Sequence, residues 1–388
     1  MSFDEIIDRR GAHTVKWDGM EGFCGVSPQE GLPMWVADME FRPPQVALDA
    51  VQRMIELGSF GYFGDDRAYR EAVRWWAEAR HGVSIDPAHI FTTNGLVNAI
   101  AVILEAFTAP GDGVVVFSPV YHAFGRVVRT AGRELIECEM AVDEAGLYRM
   151  DLESYDIPDH AKVLILCTPH NPAGRVWSRA ELEEVAAFAK RHDLLLVSDE
   201  IHQDIVLPGH RHIPTALIEG VEDRLITLSA ASKTFNIAGA HTGQVIIADA
   251  GLRERFAARM AGLGVSPNAI GMHMTTAAYS PAGAEWVDEM CEYLAGNLEV
   301  FADGIAAIPG LTLMPQEGTY LSWVSFEGTG MSLDEVLERI QGKARIAPSP
   351  GPSFGTGGDH WLRFNIAMPR PQIEEAVRRL QEAFADLQ

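Results

Sequence analysis

Short runs of apolar, often β-branched residues recur through the middle of this chain, and stretches with helical spacing separate them. The runs are Ile90-Phe-Thr-Thr93, Val114-Val-Val-Phe117, Val163-Leu-Ile-Leu-Cys167, Leu194-Leu-Leu-Val-Ser198, Leu225-Ile-Thr-Leu-Ser229 and Gln244-Val-Ile-Ile-Ala248. Most are apolar at nearly every position, the pattern of strands covered on both faces rather than half-exposed ones. The clearest helical stretch runs from Arg179 to His192 and opens on a capping box, Ser178-Arg-Ala-Glu181. Strands and helices alternating at this spacing define an α/β fold, a mainly parallel sheet flanked by helices.

After about Ser280 the pattern changes. Pro281 opens a long helical stretch towards Ile308, Leu321–Phe326 reads as a strand, and Ser332-Leu-Asp-Glu335 is a second capping box. Leu362–Ala367 reads as another strand, and Pro371–Leu387 as a closing helix with proline in its first turn. This is the composition of a smaller α+β domain. The 388 residues suit two or three structural units. The expected division is a large domain over 46–284 and a small domain built from both chain ends, 1–45 and 285–388.

A formal charge of −23 argues against nucleic acid and anionic membranes as partners. It leaves room for a small anion held by local donors. No apolar run reaches membrane-spanning length, and Met1–Arg10 lacks the apolar stretch of a secretory signal. Cys24, Cys138, Cys167 and Cys291 are far apart and show no metal-ligand spacing. Reduced thiols, a cytoplasmic location and no metal site are expected.

The most informative segment is Ser229-Ala-Ala-Ser-Lys233-Thr-Phe-Asn-Ile-Ala-Gly239. A lysine after an apolar strand loses proton affinity, the state needed for condensation with an aldehyde. An isolated Ser-Lys pair would otherwise read as a surface turn. Asp199, in Asp199-Glu-Ile-His202, closes another strand and faces the crevice where open α/β sheets bind ligands. Alone, such an acid more often caps a loop. Asn171-Pro-Ala-Gly174 is by itself a turn signal. Thr93-Asn-Gly95-Leu-Val-Asn98 joins a strand to a helix whose first N–H groups can bind phosphate; its plainer reading is a turn with asparagine as N-cap. Tyr121 either packs in the core or stacks on a flat ring. Order gives these weak signals force: phosphate turn, aromatic, Asn, Asp and Lys at successive strand ends, then an arginine in the C-terminal domain.

In that order the chain resembles the fold-type I pyridoxal-phosphate enzymes, the aspartate-aminotransferase superfamily. More closely it resembles the MalY/PatB branch of cystathionine β-lyases and C–S lyases. The matching stretches are Leu32-Pro-Met-Trp-Val-Ala-Asp-Met39, Phe60-Gly-Tyr62, Cys167-Thr-Pro-His-Asn-Pro-Ala-Gly-Arg-Val-Trp177, Asp199-Glu-Ile-His202, Ser232-Lys-Thr-Phe-Asn236 and Leu362-Arg-Phe-Asn365, which span nearly the whole chain.

The resemblance implies a pyridoxal 5'-phosphate cofactor with Lys233 as its Schiff-base lysine. It further implies Asp199 at the pyridine nitrogen, His202 and Asn171 at the ring hydroxyl, and Tyr121 stacked on the ring. Gly95, Leu96 and Ser232 would hold the phosphate, joined by Tyr62 from a second subunit of a homodimer. Arg363 would grip the carboxylate of a small amino-acid substrate. One departure is His241, eight residues after the lysine, where many aminotransferases carry a phosphate-binding arginine. The implied activity is carbon–sulfur β-lysis of cystathionine or related cysteine S-conjugates to a thiol, pyruvate and ammonia. The alternatives are an aminotransferase and a cofactor-binding regulator acting through a protein partner. Trp35, Phe63 and the Phe354 loop are the expected entrance residues.

Overall fold

The computed structural model describes residues 3–387; Met1, Ser2 and Gln388 lie outside the described residues. Its main sheet has seven strands. In chain order they are β1 (Ile90–Thr93), β2 (Gly113–Ser118), β3 (Glu134–Glu139), β4 (Ala161–Cys167), β5 (Leu195–Asp199), β6 (Leu225–Ser229) and β7 (Gly243–Ile246). Their spatial order is β1-β7-β6-β5-β4-β2-β3, and β7 alone runs antiparallel to its neighbours.

Successive side chains of a strand point to opposite faces, so an all-apolar strand feeds two cores. Val114 and Val116 of β2 join the core that contains helix α1 (Leu96–Phe107) and helix α2 (His122–Thr130). Val115 and Phe117 join the opposite core, beneath helix α3 (Arg179–Arg191). Leu182, Val185, Ala186, Phe188 and Ala189 form the buried stripe of α3, and its capping box is formed by Ser178 and Glu181.

Sequence reading missed β3. Its residues, Glu134-Leu-Ile-Glu-Cys-Glu139, carry three glutamates because it is the sheet's edge. Charged side chains there discourage pairing with other chains. The last apolar run is shorter as a strand than expected, since β7 stops at Ile246.

The C-terminal part has a four-stranded sheet of Thr312–Leu313, Leu321–Ser325, Trp361–Asn365 and Ser349–Pro350, in that spatial order. The helices Pro281–Ala306 and Arg370–Ala383 accompany it, the first opened by Ser280 and Pro281 and the second by Pro371 at its start. The chain ends meet here, with Leu32 and Pro33 pairing in parallel with Ile346 and Ala347. All four cysteines are free thiols. Among the described residues no helix is long and apolar enough to cross a membrane.

Candidate active site

The segments that follow the parallel strands, together with the one entering β7, gather at one end of the sheet. After β1 the chain turns through Gly95 into α1. Gly95 is the N-cap with φ of 85°, a conformation glycine adopts without strain, and among the described residues no side chain caps the helix. The N-cap is therefore Gly95 rather than an asparagine. Asn98 instead accepts the Asn94 N–H through its side-chain oxygen. Gly243 packs against this turn so closely that a Cβ would lie 2.6 Å from Leu96 Cδ2. His241, with φ of 44°, stands beside it, its Nδ1 3.9 Å from where a Gly95 Cβ would sit.

Tyr121 follows β2 at the start of α2, edge-on to the rings of His122 and Phe124. Asn171, after β4, is buried and accepts a 2.9 Å hydrogen bond from Arg363 Nη1. Asp199 ends β5 and is buried, its Oδ1 accepting the Ile201 N–H at 3.1 Å. Burial pushes this carboxyl up to about 7, with Glu200 adding to the rise and Lys233 opposing it. No ion pair to Asp199 forms among the described residues. His202 is also buried, its ring edge-on to Tyr320 and its Nδ1 without a partner. Burial lowers it to about 3, so its imidazole is neutral.

After β6 the short helix α4 (Ala231–Thr234) carries Ser232 and Lys233. Lys233 Nζ donates a 2.6 Å hydrogen bond to the Ala37 carbonyl. Burial brings its proton affinity down to about 8, and Arg363 lowers it further while Asp38 and Asp199 oppose the change. Arg363 reaches the same crevice from the small sheet. It is 2% exposed, donates to Asn171 Oδ1 and at 2.6 Å to the Trp35 carbonyl, and stacks 4.8 Å from the centre of the Phe354 ring. Its Nε has no partner and, among the described residues, no carboxylate pairs with it. Burial lowers it to about 10.

Two expected residues lie elsewhere. Tyr62 is fully exposed and, with Phe63, lines a cavity of about 590 Å³ bounded by Met54, Ala269 and His273. Phe63 packs on His273 at 5.1 Å. Trp35 and Phe354 do flank Arg363, one through its carbonyl and the other through its ring. Tyr320 and Ala37 were absent from the sequence reading: the Tyr320 hydroxyl donates to the Ala37 carbonyl at 3.1 Å. Ala37 falls inside a matching stretch, whereas nothing in the sequence around Tyr320 marks it. Among the described residues no group of acidic, histidine or cysteine side chains is arranged to hold a metal ion.

A buried carboxylate without a cation and a buried guanidinium without an anion are both costly unless a ligand completes them. An uncapped helix N-terminus, an orphaned imidazole nitrogen and a lysine of lowered proton affinity complete a set suited to a phosphorylated, cationic heteroaromatic aldehyde and an amino-acid carboxylate. The residues fit such a group.

The architecture is that of a pyridoxal-phosphate-dependent, aminotransferase-like fold, a mostly parallel sheet with flanking helices and a smaller domain. The family model for aminotransferase class I and II matches residues 35–380, and the chain belongs to that family. It is 36% identical to cystathionine beta-lyase PatB of Bacillus subtilis (strain 168), over 99% of this chain and all of that one. The crystal structure of cystalysin from Treponema denticola, which contains a pyridoxal 5'-phosphate cofactor, superposes with a TM-score of 0.94 at 34% identity, covering 100% and 99% of the two chains. The PLP-bound C–S lyase from Staphylococcus hominis does so with a TM-score of 0.89 at 28% identity, covering 99% and 98%.

Proposed function

We propose that this protein is a pyridoxal 5'-phosphate-dependent carbon–sulfur β-lyase that converts cysteine S-conjugates such as cystathionine into a thiol, pyruvate and ammonia. The observation that carries the reading is Lys233 set between two buried, ion-unpaired charges, Asp199 and Arg363. The choice of the C–S bond rests on full-length similarity to proteins named as C–S lyases.

In this reading Lys233 would bind the cofactor aldehyde, and Gly95, Leu96 and Ser232 would hold its phosphate. Asp199 would answer the ring nitrogen, Tyr121 would support the ring, and Asn171 and His202 would meet the ring hydroxyl. When bound, the cofactor supplies an electron sink for the pair left behind when the substrate loses its α-proton. Arg363 takes the substrate carboxylate with its two-pronged guanidinium, which fixes the α-carbon near Lys233. Lys233, as free amine, takes the α-proton; a lowered proton affinity keeps a usable fraction of it unprotonated near neutral pH. With its carboxyl pushed up to about 7, Asp199 gains ionisation when a cation faces it, so it favours the protonated, electron-poor ring. The neutral His202 imidazole acts as a hydrogen-bonding partner without adding charge.

The bonds expected to break and form give a direct test. With L-cystathionine as sole substrate and no keto acid, the holoenzyme releases pyruvate, read by a coupled lactate dehydrogenase assay. Amino transfer that requires a keto acid, with no pyruvate release, would assign the protein to the aminotransferases instead.

We infer in addition a cytoplasmic homodimer in which Tyr62 reaches the partner's phosphate site. The support is full exposure of Tyr62, with the apolar side chains of Phe60 and Leu57 largely exposed nearby. Sedimentation equilibrium is expected to give twice the 42.5 kDa chain mass. A fully active monomer overturns this assembly. In the same reading 46–284 form the cofactor domain and the two chain ends the small one.

A further inference from the structure

The stretch Leu32–Met39 stands out in the sequence, yet the chemistry above uses only the Trp35 carbonyl. We propose that residues 36–41 form a fixed strap whose Ala37 carbonyl holds the Lys233 amine, with Asn236 and Asn365 as the residues that position it. The inference rests on the lyase reading for its catalytic meaning.

Four observations carry it. First, the Ala37 oxygen receives Lys233 Nζ at 2.6 Å and the Tyr320 hydroxyl at 3.1 Å. A carbonyl has two lone pairs, so Tyr320 occupies one and leaves the other for the lysine. Second, Asn365 Nδ2 donates to the carbonyls on either side, Val36 at 2.7 Å and Asp38 at 2.8 Å. The Ala37 peptide is thereby held from both flanks. Third, Asn236, three residues beyond Lys233, accepts the Met39 N–H at 3.1 Å and donates to the Met39 and Phe41 carbonyls at 3.0 and 2.6 Å. It does so from a backbone with φ of 54°.

Fourth, a charge-balanced set clamps the strap from its other side. Arg9 pairs with Asp38 at 2.7 Å and Glu40 at 3.1 Å, and the wholly buried Lys16 pairs with Glu40 at 2.8 Å. Lys16 also donates to the Asp38 carbonyl at 2.5 Å, and Trp17 Nε1 donates to Glu40 at 2.9 Å. Two cations thus meet two anions, so the clamp is rigid without adding net charge beside the lysine.

The need for such a device follows from lysine itself, whose amine sits on a flexible four-carbon stem. Once free to act as a base, the amine must return to one position, and a displacement of about 1 Å can cost on the order of a hundredfold in rate. A carbonyl oxygen accepts a hydrogen bond but does not take the proton. It holds the protonated amine and leaves the proton available for delivery.

The test is Asn236→Gly, which keeps the left-handed backbone and removes all three side-chain bonds to the strap. In the holoenzyme kcat is expected to fall about tenfold while KM for L-cystathionine stays within about threefold. In the cofactor-stripped full chain, trinitrobenzenesulfonate is expected to label Lys233 several times faster than in the wild type, read by peptide mass spectrometry. Wild-type labelling, or a rise in KM at constant kcat, overturns the proposal. Should Asn236→Gly fail to fold, Arg9→Lys keeps the charge balance but gives up the forked pairing with Asp38 and Glu40, and must shift labelling in the same direction; wild-type labelling there is equally fatal. Faster labelling in a protein that never releases pyruvate would sink the lyase reading and leave the strap standing.

Discussion

Lys233→Ala abolishes pyruvate release, by about a thousandfold or more, and removes the long-wavelength absorbance of the bound cofactor. Two losses combine in one substitution: the amine that binds the aldehyde carbon and the base that takes the α-proton. The fold should tolerate the change. Lys233 lies on the four-residue helix α4, and among the described residues its side chain makes a single hydrogen bond, to Ala37. Burial also acts against its charge, as the fall from an ordinary 10.5 to about 8 records. Alanine removes that cost along with the bond, so the thermal midpoint is expected to stay within a few degrees. In the cofactor-stripped wild type, labelling of Lys233 should rise with pH and level off above about 8, because only the unprotonated amine reacts. Repeated turnovers by Lys233→Ala would remove the lysine from the mechanism.

Arg363→Ala is expected to lower kcat/KM by about 10²–10³-fold, with KM rising and kcat also reduced. The guanidinium already donates to Asn171, the Trp35 carbonyl and the Ser349 hydroxyl, yet among the described residues no carboxylate neutralises it and Nε is unpaired. A substrate carboxylate would supply the missing charge in a site from which water is excluded, where such a pair is worth most. Loss of the grip also lets the α-carbon drift from Lys233, which is why kcat falls as well. Arg363→Lys should recover only part of the activity, since an ammonium cannot reproduce the planar fork or the stacking on Phe354. Because burial opposes this charge, Arg363→Ala should leave the unfolding midpoint nearly unchanged. Unaltered steady-state kinetics in Arg363→Ala would move the carboxylate site elsewhere.

Much of this was legible in the chain. Strands buried on both faces are apolar throughout, and that signal located six of the seven strands of the main sheet. The seventh, Glu134–Glu139, escaped because an edge strand need not be apolar and its three glutamates resemble a surface loop. Two-residue strands such as Ser349–Pro350 leave no periodicity to detect. The N-cap of α1 was misread because asparagine is a favoured cap, whereas the turn needed a residue free to adopt positive φ and used Gly95.

Lys233, Asp199, Asn171, Tyr121 and Gly95 were readable for one reason. Each lies close behind a strand of the same sheet; Tyr121, Asn171, Asp199 and Lys233 follow the adjacent strands β2, β4, β5 and β6 in chain order, while β1, which leads to Gly95, stands beyond β7. Arg363 needed the resemblance as well, and Tyr62, expected from the resemblance alone, stands exposed outside this crevice. Local sequence thus determined the buried strands, the two capping boxes and which chemical groups stand at one end of the sheet, because these depend on neighbours a few residues apart.

Only the tertiary structure decided how those groups are tuned. Lys233 meets Ala37 across 196 positions, and Asn365 meets Val36 across 329. Burial, which sets the charge states of Asp199, His202, Lys233 and Arg363, is a property of everything packed around them. The pattern of a strand is written in its own residues; the proton affinity of a lysine is written in its surroundings.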